Sequence, residues 1–374
     1  MVSGSAVLIA AASGRALAAS ARRAGYVPLV ADFFGDQDTL AAAQAHVRMR
    51  PGSGRDIEPS QLIDAFRTLA ATCDPSGAVC GTGFEDRPEL LASIAKYWML
   101  IGNSPATVER IKDPATLAGM CKRCGVPHPD TRLDAPDDTT GWLVKRKGGA
   151  GGTHIRAAHQ DQRGAEGYYY QRFVAGDPVS ALVLANGHSG LVLGFSAQWS
   201  SPAPEQPFRY GGASQPAALA PETARAMTDA VQQLIPLVSL IGLNSFDFLV
   251  DGREFHLLEV NPRPGATLDI FELQSSAPMF AMHVDACQGV LPRAPPTFYR
   301  AAASAIVYAD EDIPRIPFVN WPGWSADRPI AGSAVSAQSP LCTVFASAAT
   351  AVQAKKLVHQ RTQAILARLR ARPS

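Results

Sequence analysis

Apolar residues in the first hundred positions fall into short runs separated by helical spacing. Ala6 to Ala10 is an unbroken apolar run of strand length, Gly14 to Ala24 is an Ala- and Arg-rich helical stretch, and Val27 to Ala31 is a second run ending at Asp32. This β-α-β order predicts a parallel sheet with a right-handed crossover. Pro59 to Ala71 reads as a helix and Ala78 to Cys80 as a strand, with Gly81 to Glu85 as the loop at its carboxyl end. Ligands in open α/β sheets sit at such ends, so this loop is a candidate for the active site. Gly102-Asn103-Ser104 marks a boundary. Pro105 to Cys124 then reads as one helix with Lys112 inside it, ended by Gly125-Val126-Pro127-His128-Pro129.

Further along, Trp142 to Lys145, Tyr168 to Val174, Ala181 to Ala185 and Leu191 to Ala197 have strand character. Ser200 to Ala218 reads as a long loop, and Pro221 to Ile241 as an amphipathic helix that Pro236 kinks or breaks near its end. Met279 to Gly289 is a helix. Short strands follow at Ser304 to Tyr308, Gly332 to Ser336 and Thr343 to Ala346. Val352 to Arg370 is a terminal helix with basic residues late, as the helix dipole prefers.

The most informative stretch runs from Asn244 to Arg263. Two apolar, partly alternating runs flank Asp251-Gly252, a strong hairpin signal. Alternation of faces groups Asp247 with Ser245 and Leu249, and Glu259 with Leu257 and Asn261. If the two faces coincide, Asp247, Glu259 and Asn261 converge as three oxygen donors, a set suited to magnesium. Both acids interrupt apolar runs, and a buried carboxylate requires a cationic partner.

A second chemical signal is Lys145-Arg146-Lys147-Gly148-Gly149-Ala150-Gly151-Gly152-Thr153. Dense glycine lets backbone N–H groups approach an anion, and the flanking cations add charge, so the stretch reads as a phosphate cradle. It is no Walker loop, because its lysine precedes the glycines. Ala11 to Arg15 is too poor in glycine for a dinucleotide fingerprint. Arg209, in the long loop, is a substrate-side candidate suited to bidentate contact with a carboxylate or phosphate.

Composition narrows the class. The chain has 374 residues and a formal charge of +1, which suits an ordinary two- or three-domain protein and offers nothing basic enough for nucleic acid. No apolar run reaches the ~18 residues of a membrane span, and the apolar start has the wrong charge order for a secretory signal, so the expected compartment is the cytoplasm. Six scattered cysteines are expected as thiols, and Cys121-x-x-Cys124 has no partner pair for zinc. Oligomeric state is not legible, with a homodimer the common case.

The acid, the hairpin and Glu259-x-Asn261-Pro262-Arg263, after Lys112, the glycine loop and the 168–178 segment, resemble in order the motifs of the ATP-grasp superfamily of ADP-forming ligases. The layout is similar to its predicted carboligase branch, distantly related to biotin carboxylase and the carboxylate-amine ligases and associated with tetrahydromethanopterin-linked one-carbon metabolism. The resemblance implies an α/β ATP-grasp fold behind a Rossmann-like N-terminal domain. It places the divisions at 1–103, 104–170 (small lid) and 171–374. ATP and Mg2+ are the implied cofactors. Lys112, Lys145, Gly148, Gly149, Gly151, Gly152, Gln171, Phe173, Val174 and Asp177 would bind nucleotide, with Phe173 and Val174 as its backbone hinge. Asp247, Glu259 and Asn261 would hold metal, and Arg263 would face the phosphoryl group. The implied activity is joining a carboxylate to an amine through an acyl phosphate. A bicarbonate-activating carboxylase and a non-catalytic nucleotide-binding subunit are the alternatives. Biotin carboxylase carries a catalytic glutamate where this chain has Thr267.

Overall fold

A computed structural model describes residues 4–50, 57–159 and 167–370. The first sheet is parallel, with strand order β3-β2-β1-β4, and its central strands are buried on both faces, which explains their unbroken apolar runs. Its elements are β1 (Ala6–Ala10), α1 (Arg15–Arg23), β2 (Val27–Asp32), α2 (Gln37–Ala42), β3 (Ala45–Arg48), α3 (Pro59–Ala70), β4 (Pro75–Cys80) and α4 (Pro88–Ala95).

The expected single helix over 105–124 is two helices, α5 (Pro105–Lys112) and α6 (Pro114–Cys124). Asp113 takes an extended conformation between them because Pro114 disfavours a helical residue before it, and the Asp113 side chain caps α6 through the Thr116 N–H. The break leaves Lys112 at the end of α5. A second sheet follows, ordered β5-β8-β6-β7, from β5 (Thr131–Arg132), β6 (Trp142–Arg146), β7 (Arg156–Ala157) and β8 (Tyr168–Arg172).

The third sheet has eight strands in the order β13-β12-β9-β10-β11-β14-β16-β15. It comprises β9 (Asp177–Asn186), β10 (Gly190–Ser200), β11 (Tyr210–Gln215), β12 (Ile241–Asp251), β13 (Glu254–Asn261), β14 (Ala301–Tyr308), β15 (Ser325–Ala326) and β16 (Pro340–Ala348). Helix α7 (Pro221–Val238) packs its apolar face on β9, β12 and β13, burying Met227, Val231 and Leu234 against Phe246, Phe248 and Val260. Helices α8 (Leu268–Glu272) and α9 (Met279–Cys287) pack on the opposite face, with Leu182 and Leu184 of β9 and with α1, and α10 (Ala351–Arg370) packs on β14 and β16.

Three further expectations change. The loop expected over 200–218 contains β11, whose glycines hide it from propensity. A Cβ on Gly212 would strike the Ser304 carbonyl and the Trp199 ring, so glycine is what lets β11 lie between them. Helix α7 contains Pro236 and ends at Val238, where Ser239 turns left-handed, so Ile241 begins a strand. Gly332 to Ser336 forms no strand, only an isolated bridge between Ile313 and Val335. All six cysteines are unpaired.

Candidate active site

The hairpin β12–β13 pairs Asp247 directly with Glu259 and Ser245 with Asn261. All four line one cavity of about 550 Å3. The expected grouping of Leu257 with Glu259 fails, because a bulge at Leu258 shifts the register between Asp247 and Phe248. Leu257 turns into the core under α7, and Leu258 takes its place in the cavity. The bulge lets one strand serve both an apolar core and a polar site.

The acid pair is tightly held. Asp247 accepts from the Ser180 hydroxyl at 2.6 Å and from the Asn261 amide at 2.8 Å. The Lys112 ammonium sits 3.1 Å from Glu259 Oε2 and 3.1 Å from Asn261 Oδ1, where a cation is needed. Burial and then the charge of Glu259 push the Asp247 carboxyl upward. Burial also acts to raise Glu259, but the Lys112 ammonium, with Lys145 behind it, outweighs burial and holds this carboxyl well below its usual range. Two carboxylates and an amide oxygen with an ammonium already between them fit a magnesium ion, which keeps few protein ligands and completes its shell with water and phosphate. Among the described residues no set of three or more His, Cys, Asp or Glu gathers to hold a metal.

Across the cavity, β6 and β8 present Lys145 and Gln171, both buried, with Lys145 Nζ donating to Gln171 Oε1 at 2.6 Å. Burial lowers the Lys145 pKa to about 8. Phe173 and Val174 line the cavity at the exit of β8. The Phe173 N–H is donated to the Gly141 carbonyl, so of the two candidate hinge amides only Val174's has no backbone acceptor among the described residues. Asp177 is exposed at the start of β9 and does not line the cavity, whereas its neighbours Gly176 and Pro178 do.

The glycine loop lies over the cavity. Gly151 accepts from the Tyr210 N–H at 2.9 Å, Arg146 faces Asp86 at 3.6 Å, and Lys147 faces Asp113 at 3.5 Å. Gly148 and Gly152 both have left-handed backbones. A Cβ at 148 would come within 2.5 Å of the Asp86 main chain, and one at 152 would collide with the Phe208 carbonyl. His154, which the sequence reading passed over, packs on Gly149 and lines the cavity with a buried Nδ1 that has no partner. Burial lowers its pKa to about 4, so it is a neutral imidazole.

Arg263 reaches the cavity from the end of the hairpin, its Nε 2.6 Å from Glu85 Oε1. Glu85 Oε2 accepts the Gly83 and Phe84 N–H groups, at 2.7 and 3.0 Å. The 81–85 loop therefore reaches the site as its position at a strand end suggested, but by orienting Arg263. Although burial acts to raise Glu85, Arg263 and Lys112 keep its carboxyl ionised below the usual range. Arg209, like Asp177, does not present its functional group to the cavity. Its guanidinium stacks 3.7 Å over the Tyr308 ring and donates to the Ser201 carbonyl and to Gln338, leaving no edge for a substrate.

Residues 113–267 match the ATP-grasp domain family. No curated protein matches the chain. Among solved structures, the chain is similar to Rhizobium etli pyruvate carboxylase with its activator acetyl coenzyme A, at 16% identity and a TM-score of 0.75. The alignment covers 95% of this chain and 38% of that much longer one. The biotin carboxylase domain of Hydrogenobacter thermophilus 2-oxoglutarate carboxylase, in complex with MgADP and bicarbonate, matches at 13% identity and a TM-score of 0.75, covering 97% of this chain and 90% of the other. Staphylococcus aureus N5-carboxyaminoimidazole synthetase complexed with ADP matches at 14% identity and 0.68, covering 97% and 98%. At these identities the likeness is one of fold. Residues 113–267 thus match an ATP-grasp domain, within a mixed α/β fold similar to that of the biotin carboxylase structures.

Proposed function

We propose that the protein is an ATP-dependent, ADP-forming ligase that activates a carboxylate as an acyl phosphate and joins it to an amine. The observation that carries this reading is the single cavity in which Asp247, Glu259 and Asn261 face Lys145 and Gln171 under a docked glycine loop, with Arg263 at one side. ATP with its adenine against Val174 would direct its phosphates past Lys145 toward the acid pair. Magnesium held by Asp247, Glu259 and Asn261 would neutralise phosphate charge, which is most of what phosphoryl transfer asks of a protein. The N–H groups of the glycine loop then exclude water and hold the phosphate oxygens.

Arg263, locked by Glu85, would hold the carboxylate of the acid. Its oxygen forms a bond to the γ-phosphorus as the bond to ADP breaks. The neutral amine then forms the C–N bond as inorganic phosphate leaves, and the amine proton passes to solvent. A substrate carboxylate is already ionised near pH 7, so this route needs no base. A bicarbonate-activating route does need one. Thr267 is a hydroxyl, and Glu85 spends both oxygens on Arg263 and the 83–84 backbone and lies outside the main cavity. The test is ADP release over a panel of acids with magnesium-ATP and hydroxylamine. Hydroxamate formed in step with ADP is expected. ADP release that depends on bicarbonate and biotin, with no hydroxamate from any acid, would turn the assignment to a carboxylase.

A further inference from the structure

Strands β11 and β14 lie two and three strands beyond β9 in the large sheet, about 10–14 Å across it, away from the hairpin edge. There the cavity is walled by Phe208, Tyr210, Ile306 and Tyr308, with no acidic side chain among them. The wall is rigid. Tyr308 donates its hydroxyl to the Tyr210 carbonyl at 2.8 Å, and its ring is backed by the Arg209 guanidinium, itself pinned to Ser201 and Gln338. The Tyr210 hydroxyl is buried without a partner, as are those of Ser245 and Thr267, and all three belong to this cavity.

Flat, hydrogen-bonded aromatic walls favour a planar ring, since stacking adds to area burial. We propose, resting on the ligase reading, that the acid activated here is a ring-bearing aromatic carboxylate, with its carboxylate at Arg263 and its ring against Tyr210 and Tyr308. Arg209 is then a positioning residue, acting through Tyr308. A bicarbonate-sized substrate would leave this end of the cavity unfilled.

The experiment compares equilibrium binding of benzoate, 4-hydroxybenzoate, cyclohexanecarboxylate and hexanoate to the full chain in the presence of MgADP, with hydroxamate formation as a second readout. Benzoate and 4-hydroxybenzoate are each expected to bind about 3- to 10-fold more tightly than cyclohexanecarboxylate, the range of an aromatic pair. Tyr308→Leu should erase the preference while MgADP affinity holds. Arg209→Ala should weaken benzoate and not MgADP, with Arg209→Lys recovering part of the loss. If Arg209→Ala does not fold, the Tyr308→Leu result decides. Equal binding of benzoate and cyclohexanecarboxylate, or binding of neither by a chain that binds MgADP, would overturn the inference. Absence of MgADP binding would instead overturn the ligase reading, and the benzoate preference measured without nucleotide would still test the ring pocket.

Discussion

Two lysines beside the acid pair and its facing strands are under different constraints. Lys112 is paired with Glu259, whereas Lys145 is buried against a neutral amide and its pKa falls to about 8. A phosphate beside Lys145 would favour its charged form and raise that pKa on binding. The sign follows. Below about pH 8 the ammonium is already charged in the free protein and contributes fully. As pH rises above that value, binding must take up a proton and affinity falls. MgADP affinity measured by calorimetry should therefore decline between pH 8 and 10, with proton uptake visible as a buffer-dependent heat, and Lys145→Met should flatten the profile. At the acid pair, Glu259→Gln should leave the circular dichroism spectrum unchanged and reduce ATP turnover by at least about 100-fold, the usual cost of removing one charge-stabilising group. Unfolding of that variant would mark Glu259 as structural. Glu85 acts at one remove. Glu85→Gln keeps the shape but removes the charge that orients Arg263, so kcat/KM for the acid should fall about 10- to 100-fold, with MgADP affinity held.

Among the elements, the glycine loop has the clearest mechanical logic. Its docked position depends on the absence of a side chain at Gly152, whose Cβ would meet the Phe208 carbonyl, whereas a Cβ at Gly151 would meet nothing. Both residues have positive φ, so backbone strain is shared and the collision is not. Gly152→Ala should then weaken MgADP binding and turnover well beyond Gly151→Ala, and amide exchange over 148–153 should slow on adding MgADP in the parent but not in Gly152→Ala. The loop and its lysine were legible in sequence because glycine density and charge are local properties, as were the hairpin and its Asp-Gly turn. What sequence reading missed was set by contacts distant along the chain. The Leu258 bulge depends on packing under α7, β11 is a strand only because Trp199 and Ser304 flank its glycines, and Arg209 reads as a substrate arginine until Tyr308 and Gln338 are placed beside it. The break after Lys112 was available locally in Asp113-Pro114, and its consequence, an ammonium delivered to Glu259, was not.

At the scale of the whole molecule, the three sheets must be held in register for a site assembled from all of them, and one buried cation joins two of them. Arg15, at the start of α1, donates both ends of its guanidinium to Asp269 at 2.5 and 2.7 Å, and also reaches Asp327 at 2.9 and 3.0 Å. Asp269 follows Thr267 by two residues, so the first domain is tied directly to the loop that leads away from Arg263. Burial acts to raise both acids. For Asp327 the charge of Arg15 wins and the carboxyl lies below its usual range, while Asp269 stays somewhat above it. With a depressed folded pKa, Asp327 contributes stability that is present above the unfolded value of about 3.9 and is lost as pH falls through the folded one. Removing Arg15 inverts this. Arg15→Ala leaves two buried carboxylates facing each other, at a cost of about 3–5 kcal/mol, and raises both pKa values above the unfolded reference. The deficit is then greatest near neutrality and shrinks as acid protonates the pair. Urea midpoints followed by circular dichroism should show Arg15→Ala far below the parent at pH 8 and much closer to it at pH 5. A deficit of equal size at both pH values would mean that Arg15 contributes through packing alone.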